Sequence, residues 1–450
     1  MKKKIRFRLS TTHVIMLSFL AAILLGSLLL VLPISSADGR SVPYTDALFT
    51  ATTATCVTGL VTLPTFSTWS LFGHIVILVL IQIGGLGIIT VLSGLLIAFH
   101  YKMDLGDRLL LQDAFNLNTL SGLADFIKRV ILGTLVVEGV GALLYMTVFI
   151  PDFGARGIWI SVFTAISAFC NAGIDIVGEN SLCDYALHPV VNAVTCLLIV
   201  LSGIGYTVWW DVLRVWREKR THKFRALTLH SKIAIVTTLI LILSGALGVF
   251  LFEHNNPLTM GGYTLPQKLG ASLFQSVTTR TAGFATLPQQ NLTNGAAILS
   301  LLLMFIGGSP VGTAGGVKTV TMAVLVAGAI ASIRNRDEVN LFGRQISKES
   351  IAKAGAVVTA SFGILFLSTL LLSAVTAAPT LDILYETVSA TATVGLTRDL
   401  TAHLNTAGKL IVAATMYLGR CGPISLAVAF STGRGSKTVV KNPVEEISIG

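Results

Sequence analysis

Four times along this chain a long apolar stretch gives way to a short polar run that ends on glycine. Residues 55–59 read Thr-Cys-Val-Thr-Gly, 169–173 Phe-Cys-Asn-Ala-Gly, 279–283 Thr-Arg-Thr-Ala-Gly and 391–395 Thr-Ala-Thr-Val-Gly. The closing glycines fall 114, 110 and 112 residues apart. A near-constant period of that length marks one architectural unit used four times. What repeats is polar backbone inside membrane-grade sequence, which a bilayer tolerates only where protein buries it or water lines it. Four such segments predict a pore.

The surroundings are membrane-grade by composition: 53% hydrophobic residues, 12% charged and a mean hydropathy of +0.78 exclude a water-soluble globule. Apolar runs long enough to cross a core of about 30 Å lie near 12–33, 71–99, 130–150, 190–212, 232–252, 296–306 continuing through 319–332, 355–376 and 408–430. They predict eight crossings. No small-residue cleavage site precedes Pro33, so the first run reads as a retained helix and not a signal peptide.

Of 32 Lys and Arg, 24 sit in five segments: 2–8, 102–129, 214–232, 334–353 and 434–441. The positive-inside bias makes these segments and both termini cytoplasmic. The net charge of +10 is therefore mostly topology and does not call for a nucleic-acid partner. The basic run from Arg214 to Arg225 directly follows a span, which leaves contact with anionic lipid headgroups or with a cytosolic subunit open.

Each unit reads as span, short helix, polar loop, span, over 1–113, 114–220, 221–340 and 341–450. Two full crossings per unit keep all four units in one orientation. The expected fold is an all-α polytopic membrane protein of four parallel span–pore-loop–span repeats, eight transmembrane helices around a pseudo-fourfold central pore. Inverted repeats are common in rocking transporters, whereas parallel units around an axis enclose a path. Asp46 and Asp382 suit the first turns of the short helices as caps, and Phe49, Phe163, Leu273 and Tyr385 suit packing anchors. The partially negative C-terminal ends of the short helices would face the loops and favour a cation.

The candidate filter residues are Thr55, Cys56, Val57, Thr58 and Gly59; Cys170, Asn171, Ala172 and Gly173; Arg280, Thr281, Ala282 and Gly283; and Ala392, Thr393, Val394 and Gly395. Glycine admits backbone angles that turn successive carbonyls toward one axis, and carbonyl rings replace the hydration shell of a permeating ion.

The second spans carry glycine clusters at 84–87, 202–205, 307–316 and 419–423. In the third, Gly307, Gly308, Gly312, Gly315, Gly316 and Pro310 each penalise a helix, by about 1 kcal/mol per glycine and about 3 for the proline. A break between Ile306 and Val320 is expected, placed to act as a gate with Thr313 and Lys318. In the other three spans the glycines read better as close helix packing. Three charges fall at membrane depth, where ions are costly. Arg420 is expected as a positive barrier below the filter, Lys318 as a latch on the broken segment, and Arg280 behind the filter on carbonyls or a carboxylate.

Residues 312–319 are no phosphate loop, since Val317 precedes Lys318 where glycine is required, so no nucleotide is expected on this chain alone. Neither zinc spacing nor a disulfide framework emerges from the five cysteines. The chain offers no active site and is not expected to be an enzyme.

These residues together resemble the Trk/Ktr/HKT superfamily of potassium transporters, most closely the KtrB-like membrane subunits of bacteria. The likeness rests on Val57–Leu60, Asn171–Gly173, Thr279–Phe284, Thr393–Leu396, the glycine-rich broken span and the Gly-Arg-Cys-Gly-Pro run at Gly419–Pro423. It implies potassium uptake across the bacterial cell membrane, often sodium-dependent, by a homodimer seated on a cytosolic KtrA-like ring that binds ATP and ADP. It also implies a gating loop at Gly307–Lys318, a pore arginine at Arg420 and a dimer contact at the terminal Gly450. A glycine at 59 favours potassium, while Cys170 and Ile174 depart from the family's Asn-Asn-Ala-Gly-Phe pattern. A sodium-permeable or weakly selective cation channel on the same fold remains the alternative.

Overall fold

A computed structural model describes residues 11–88, 90–91, 93–94, 123–218, 223–336 and 338–422. The expected Gly450 contact and the basic segments 2–8 and 434–441 lie outside the described residues. Four times a long helix is followed by a short helix, a glycine turn and a second helix of intermediate length. The units are α1 (Thr11–Val31), α2 (Tyr44–Cys56) and α3 (Leu71–Leu86); α4 (Leu123–Phe153), α5 (Arg156–Cys170), α6 (Pro189–Gly203) and α7 (Tyr206–Arg217); α8 (Leu229–Glu253), α9 (Leu265–Thr278), α10 (Asn294–Phe305) and α11 (Thr319–Ile333); and α12 (Lys348–Val375), α13 (Thr380–Ala392) and α14 (Thr406–Cys421).

Hydroxyl and amide side chains start many of these helices. Ser70, Thr228, Thr293, Ser347 and Asn405 each accept a hydrogen bond from the backbone N–H three residues on, which satisfies an otherwise orphan donor. At α2 and α13 a proline precedes the helix instead. Asp46 and Asp382 therefore do not cap. Asp46 pairs with Lys409 and Asp382 with Arg398, 2.5 and 2.7 Å apart, so the acids tie loops and neighbouring units together.

The four units close on themselves. Each second helix packs against the short helix of the next unit: α3 on α5, α6 on α9, α10 on α13, and α14 back on α2. The burial pattern is inverted relative to a soluble protein. Leu25, Leu132, Leu243 and Phe362 on the long helices are 60–65% exposed, whereas Thr50, Thr52, Thr53, Thr164 and Ser167 on the short helices are buried. Such a surface suits hydrocarbon and such an interior suits a polar path.

Among the described residues, α1, α4, α8 and α12 are long and apolar enough to cross a membrane, and α6 with α7 would make a fifth span but for a 93° bend. The second helices are short because each apolar run is interrupted. At 1.5 Å per residue α3, α6 and α14 reach only about 22–24 Å of the roughly 30 Å needed. A continuous helical span, expected everywhere except in the third unit, does not form in units one and two, and residues 423–430 of the span expected in unit four lie outside the described residues. The chain turns at Gly87, Gly205 and Gly422, with φ of 85°, 94° and 84° and ψ of 132°, 140° and 138°. Glycines 84 and 419 do serve close packing, since a Cβ there would strike the carbonyl oxygens of Thr55 and Thr391. Packing and breaking belong to different glycines of the same cluster.

Two further departures are local. A small antiparallel hairpin, β1 (Val339–Leu341) and β2 (Arg344–Ile346), joins α11 to α12, so the chain is not purely helical. In the third unit Leu273 is 42% exposed and Phe274 fills the anchor place, while Phe49, Phe163 and Tyr385 are buried as expected.

Candidate ion pathway

The short helices α2, α5 and α13 end alike. Val57, Asn171 and Thr393 follow the last helical residue in the left-handed region, with φ of 55°, 58° and 51°. The next amide, of Thr58, Ala172 or Val394, reaches back to the carbonyl of Thr53, Ser167 or Ser389 at 2.8–2.9 Å. This is a Schellman ending, built here without glycine. For β-branched Val57 and Thr393 the conformation is costly, and such cost persists only where surroundings impose it. A hydroxyl one turn back supplies part of that support: Thr53 Oγ1 accepts from the Gly59 amide at 2.9 Å and Ser389 Oγ from the Gly395 amide at 3.0 Å. In the second unit Ser167 Oγ accepts from Ile174. The third unit differs: its Thr278 hydroxyl donates to the Phe284 carbonyl at 2.6 Å, and Thr281 has φ 73°.

Two residues further on stand Gly59, Gly173, Gly283 and Gly395, all at positive φ (100°, 63°, 84° and 99°). They meet in one ring. A Cβ on Gly59 would lie 2.5 Å from the Ala172 carbonyl oxygen, one on Gly173 2.6 Å from that of Ala282, and one on Gly283 2.5 Å from that of Val394. A Cβ on Gly395 would strike the carbonyl oxygen of Thr58 and close the circuit. The alternation of backbone hand and the lack of a side chain let four chains approach here. The hydroxyls of Thr55, Thr58, Thr281, Thr391 and Thr393 are buried around this ring without a protein partner, as is Asn171 Oδ1.

A bowl of about 400 Å³ opens against the ring, and all four glycines form its floor. Its walls carry Asp175, Glu179 and Asp399 and no lysine or arginine. Burial pushes the Asp175 carboxyl up to about 6, against the opposing pull of hydrogen bonds from the Ser181 hydroxyl and the Val177 amide. Acids in a concave mouth concentrate cations. The sequence reading missed them, although each follows a ring glycine within six residues.

On the other side of the ring lies the broken run. α10 ends at Phe305, α11 starts at Thr319, and between them the backbone crosses over itself, with Ile306 bridged to Val317. Loop 306–318 touches three of the four ring segments. Asn171 Nδ2 donates to Thr313 Oγ1 at 2.8 Å, and that hydroxyl donates to the Phe169 carbonyl at 3.0 Å. A Cβ on Gly315 would strike Thr393 Oγ1, and Gly307 and Gly316 stack on the loop's own backbone. A Cβ on Gly308 would strike Ala314, and one on Gly312 would lie 2.6 Å from the Ser202 carbonyl oxygen.

The three deep cations all bind carbonyls. Arg280 sits behind the ring and donates to the Gly307 carbonyl at 3.2 Å. Lys318 donates to the Ala314 carbonyl within its own loop. Arg420 bridges two units, donating to the carbonyls of Thr313 (2.8 Å) and Gly84. Among the described residues none of the three has a carboxylate partner. Cys56 and Ala392 are buried immediately behind their loops. Cys170 is too, and it leads to a charge the sequence reading passed over. Glu138, 4% exposed at the middle of α4, accepts from Gln82 Nε2 at 3.3 Å and lies 3.9 Å from the Cys170 sulfur. An acid in the centre of an apolar run was the available signal.

Helices that wrap a polar ring between an acidic bowl and a crossed loop define a membrane transport protein. A family profile described as TrkH, cation transport protein, matches residues 2–441. The chain is 38% identical over 444 residues to the Ktr system potassium uptake protein B of Bacillus subtilis, covering 98% of this chain and 97% of that protein. It is 36% identical to the potassium/sodium uptake protein NtpJ of Enterococcus hirae, covering 100% and 99%. The crystal structure of the potassium transporter TrkH from Vibrio parahaemolyticus superposes with a TM-score of 0.76 at 16% identity, over 96% of this chain and 87% of that one. This chain belongs to the TrkH family of cation transport proteins. It is a multi-pass membrane transporter and not an enzyme.

Proposed function

We propose that this chain is the ion-conducting membrane subunit of a potassium-uptake system. The observation that carries the reading is the glycine ring at the floor of an acidic bowl. Potassium is the substrate. It would shed water at the ring and meet carbonyls of 55–59, 170–173, 280–283 and 392–395, with the partnerless threonine hydroxyls as further ligands. Backbone dipoles hold a cation without the trap that a fixed carboxylate would set, and the ends of α2, α5, α9 and α13 add partial negative charge.

In this reading the four units cross the bilayer as eight spans, each second span broken. Loop 306–318 is the gate, with Lys318 and Arg420 holding it through the Ala314 and Thr313 carbonyls. Control comes from a cytosolic nucleotide-binding subunit, and two such chains form a homodimer in the cell membrane with both termini cytoplasmic. Support for a partner is the word "system" in the name of the Bacillus subtilis relative. The test is growth of a potassium-uptake-deficient bacterium at limiting potassium, with and without a cytosolic partner. Rescue is expected with the partner present, and failure under both conditions removes the potassium reading.

A second reading, a sodium-permeable cation pathway or sodium-dependent uptake, is favoured by the Enterococcus hirae relative, whose name includes sodium. Flux with sodium as the only permeant cation separates the two.

A further inference from the structure

Among the described residues, the second unit has a feature of its own. Its broken span turns by 93° at Gly205, and the segment beyond the turn is the well-formed helix α7. With α6 set across the bilayer, α7 lies along the membrane surface, on the side where the basic segments gather. Three of the chain's five tryptophans, Trp209, Trp210 and Trp216, fall on this one helix. Tryptophan settles at the junction of hydrocarbon and headgroups.

Between α7 and α4 opens a cleft of about 880 Å³. Leu132, Val136 and Trp210 make its apolar wall, and Arg129, Arg214 and Arg217 stand at its rim. The indole rings pack close to α4 at Gly133, where a Cβ would lie in ordinary contact, 3.5 Å from Trp209 and 3.7 Å from Trp210. Leu132 and Val136 are 65% and 56% exposed, so the wall continues into the surface that faces lipid. Asp211 holds Arg214 at 2.6 Å. Arg129 and Arg217 have no carboxylate partner among the described residues, and against Asp211 and Glu218 the rim keeps a net positive charge. Apolar wall, indole and two guanidinium groups without a carboxylate partner among the described residues match an acyl chain with a phosphate head.

The start of α7 is also clasped by the crossed loop of the third unit. The Tyr206 amide donates to the Val311 carbonyl at 2.9 Å, and the Ser309 amide donates to the Gly203 carbonyl at 2.8 Å. A Cβ on Gly205 would strike the Pro310 carbonyl oxygen. The turn into α7 and loop 306–318 are thus joined by two backbone hydrogen bonds and one close approach.

We propose that α7 is a membrane-surface helix that binds an anionic phospholipid in the α4/α7 cleft, and that this contact sets the position of loop 306–318. The second half rests on the potassium reading above; the first does not.

The test uses the full purified chain, the double variant Arg129→Gln/Arg217→Gln, the rescue pair Arg129→Lys/Arg217→Lys, and Arg334→Gln/Arg344→Gln as a charge-matched control outside the cleft. Phosphatidylglycerol retained against phosphatidylcholine is read by native mass spectrometry. The glutamine variant is expected to lose affinity for phosphatidylglycerol about 30-fold, with the lysine pair and the control near wild type. Equal retention in the glutamine variant and wild type overturns the site. So does loss of a bound cytosolic protein with lipid retention unchanged, which would make the face a protein dock. In liposomes, potassium flux of the wild type should rise with phosphatidylglycerol and that of the glutamine variant should not. A rise in both overturns the coupling. Absence of potassium flux in every lipid, with selective lipid retention intact, sinks the potassium reading and the coupling but upholds the site.

Discussion

The third unit and the other three answer the same constraint in different ways. In units one and two the second helix breaks at a single glycine, Gly87 or Gly205, and in unit four α14 ends on Gly422 with similar backbone angles. Unit three spends the whole stretch 306–318 on the break, and its loop reaches Asn171 and Phe169 of unit two, the Thr393 side of unit four, and Arg420. A one-residue turn offers little backbone to other units, and the turn at Gly205 meets the long loop at Pro310 and Val311. A long loop crosses under the ring and is held by hydrogen bonds with its neighbours. The ring draws on all four units, and the loop comes from one unit alone.

The largest effect should come from the ring. Gly283→Ala places a methyl group against the Val394 carbonyl and at a φ of 84°, so potassium uptake should fall by about 100-fold, equal to ~2.7 kcal/mol on the permeation barrier. Near-normal uptake would show that the four chains do not need this approach. Next, deletion of Gly312–Gly316 should raise basal flux about tenfold, a shift of ~1.4 kcal/mol in the loop's equilibrium, and weaken any dependence on a cytosolic subunit. Unchanged flux would erase the functional difference between the long loop and the single-glycine turns.

A sharper version of the comparison pairs two of those turns. At Gly87 an added Cβ meets only Thr90 Oγ1 at 3.7 Å, whereas at Gly205 it strikes Pro310 of the long loop. Both alanine variants bear the left-handed backbone cost of about 1–2 kcal/mol. Only Gly205→Ala also displaces the loop, so its flux should change about fivefold while that of Gly87→Ala stays within about twofold. Equal changes would mean that the loop does not read its grip on α7. The smallest effect is expected at Glu138→Gln, which keeps an oxygen for Gln82 and should lower stability by about 1 kcal/mol, seen as a modest drop in melting temperature of the detergent-solubilised chain. A loss of potassium uptake as large as that expected of Gly283→Ala would place Glu138 among the supports of the ring itself.

Much of this was legible from residue spacing. The glycine period, the polar loops and the break after Ile306 are local signals that repeat or accumulate. The single-glycine breaks were not legible, because one glycine costs a helix only about 1 kcal/mol and the decision lies with packing against other units. The partner of Asp46 stands 363 residues away at Lys409, beyond any local rule. Counting back from the glycine chose Leu273 over Phe274 because the third unit has one residue fewer between anchor and ring. Glu138 and the bowl acids could have been found from their positions. The long-range carbonyl partners of Arg280 and Arg420 could not.

The proposed pathway for dehydrated potassium runs through all four glycine-ended loops. Its most direct measurement is ion flux through the purified chain in liposomes, with potassium and sodium varied separately, for wild type and Gly283→Ala. Potassium flux is expected to exceed sodium flux and to be lost in the variant. Equal flux of both ions in wild type, or flux that survives the added methyl group unchanged, would contradict it.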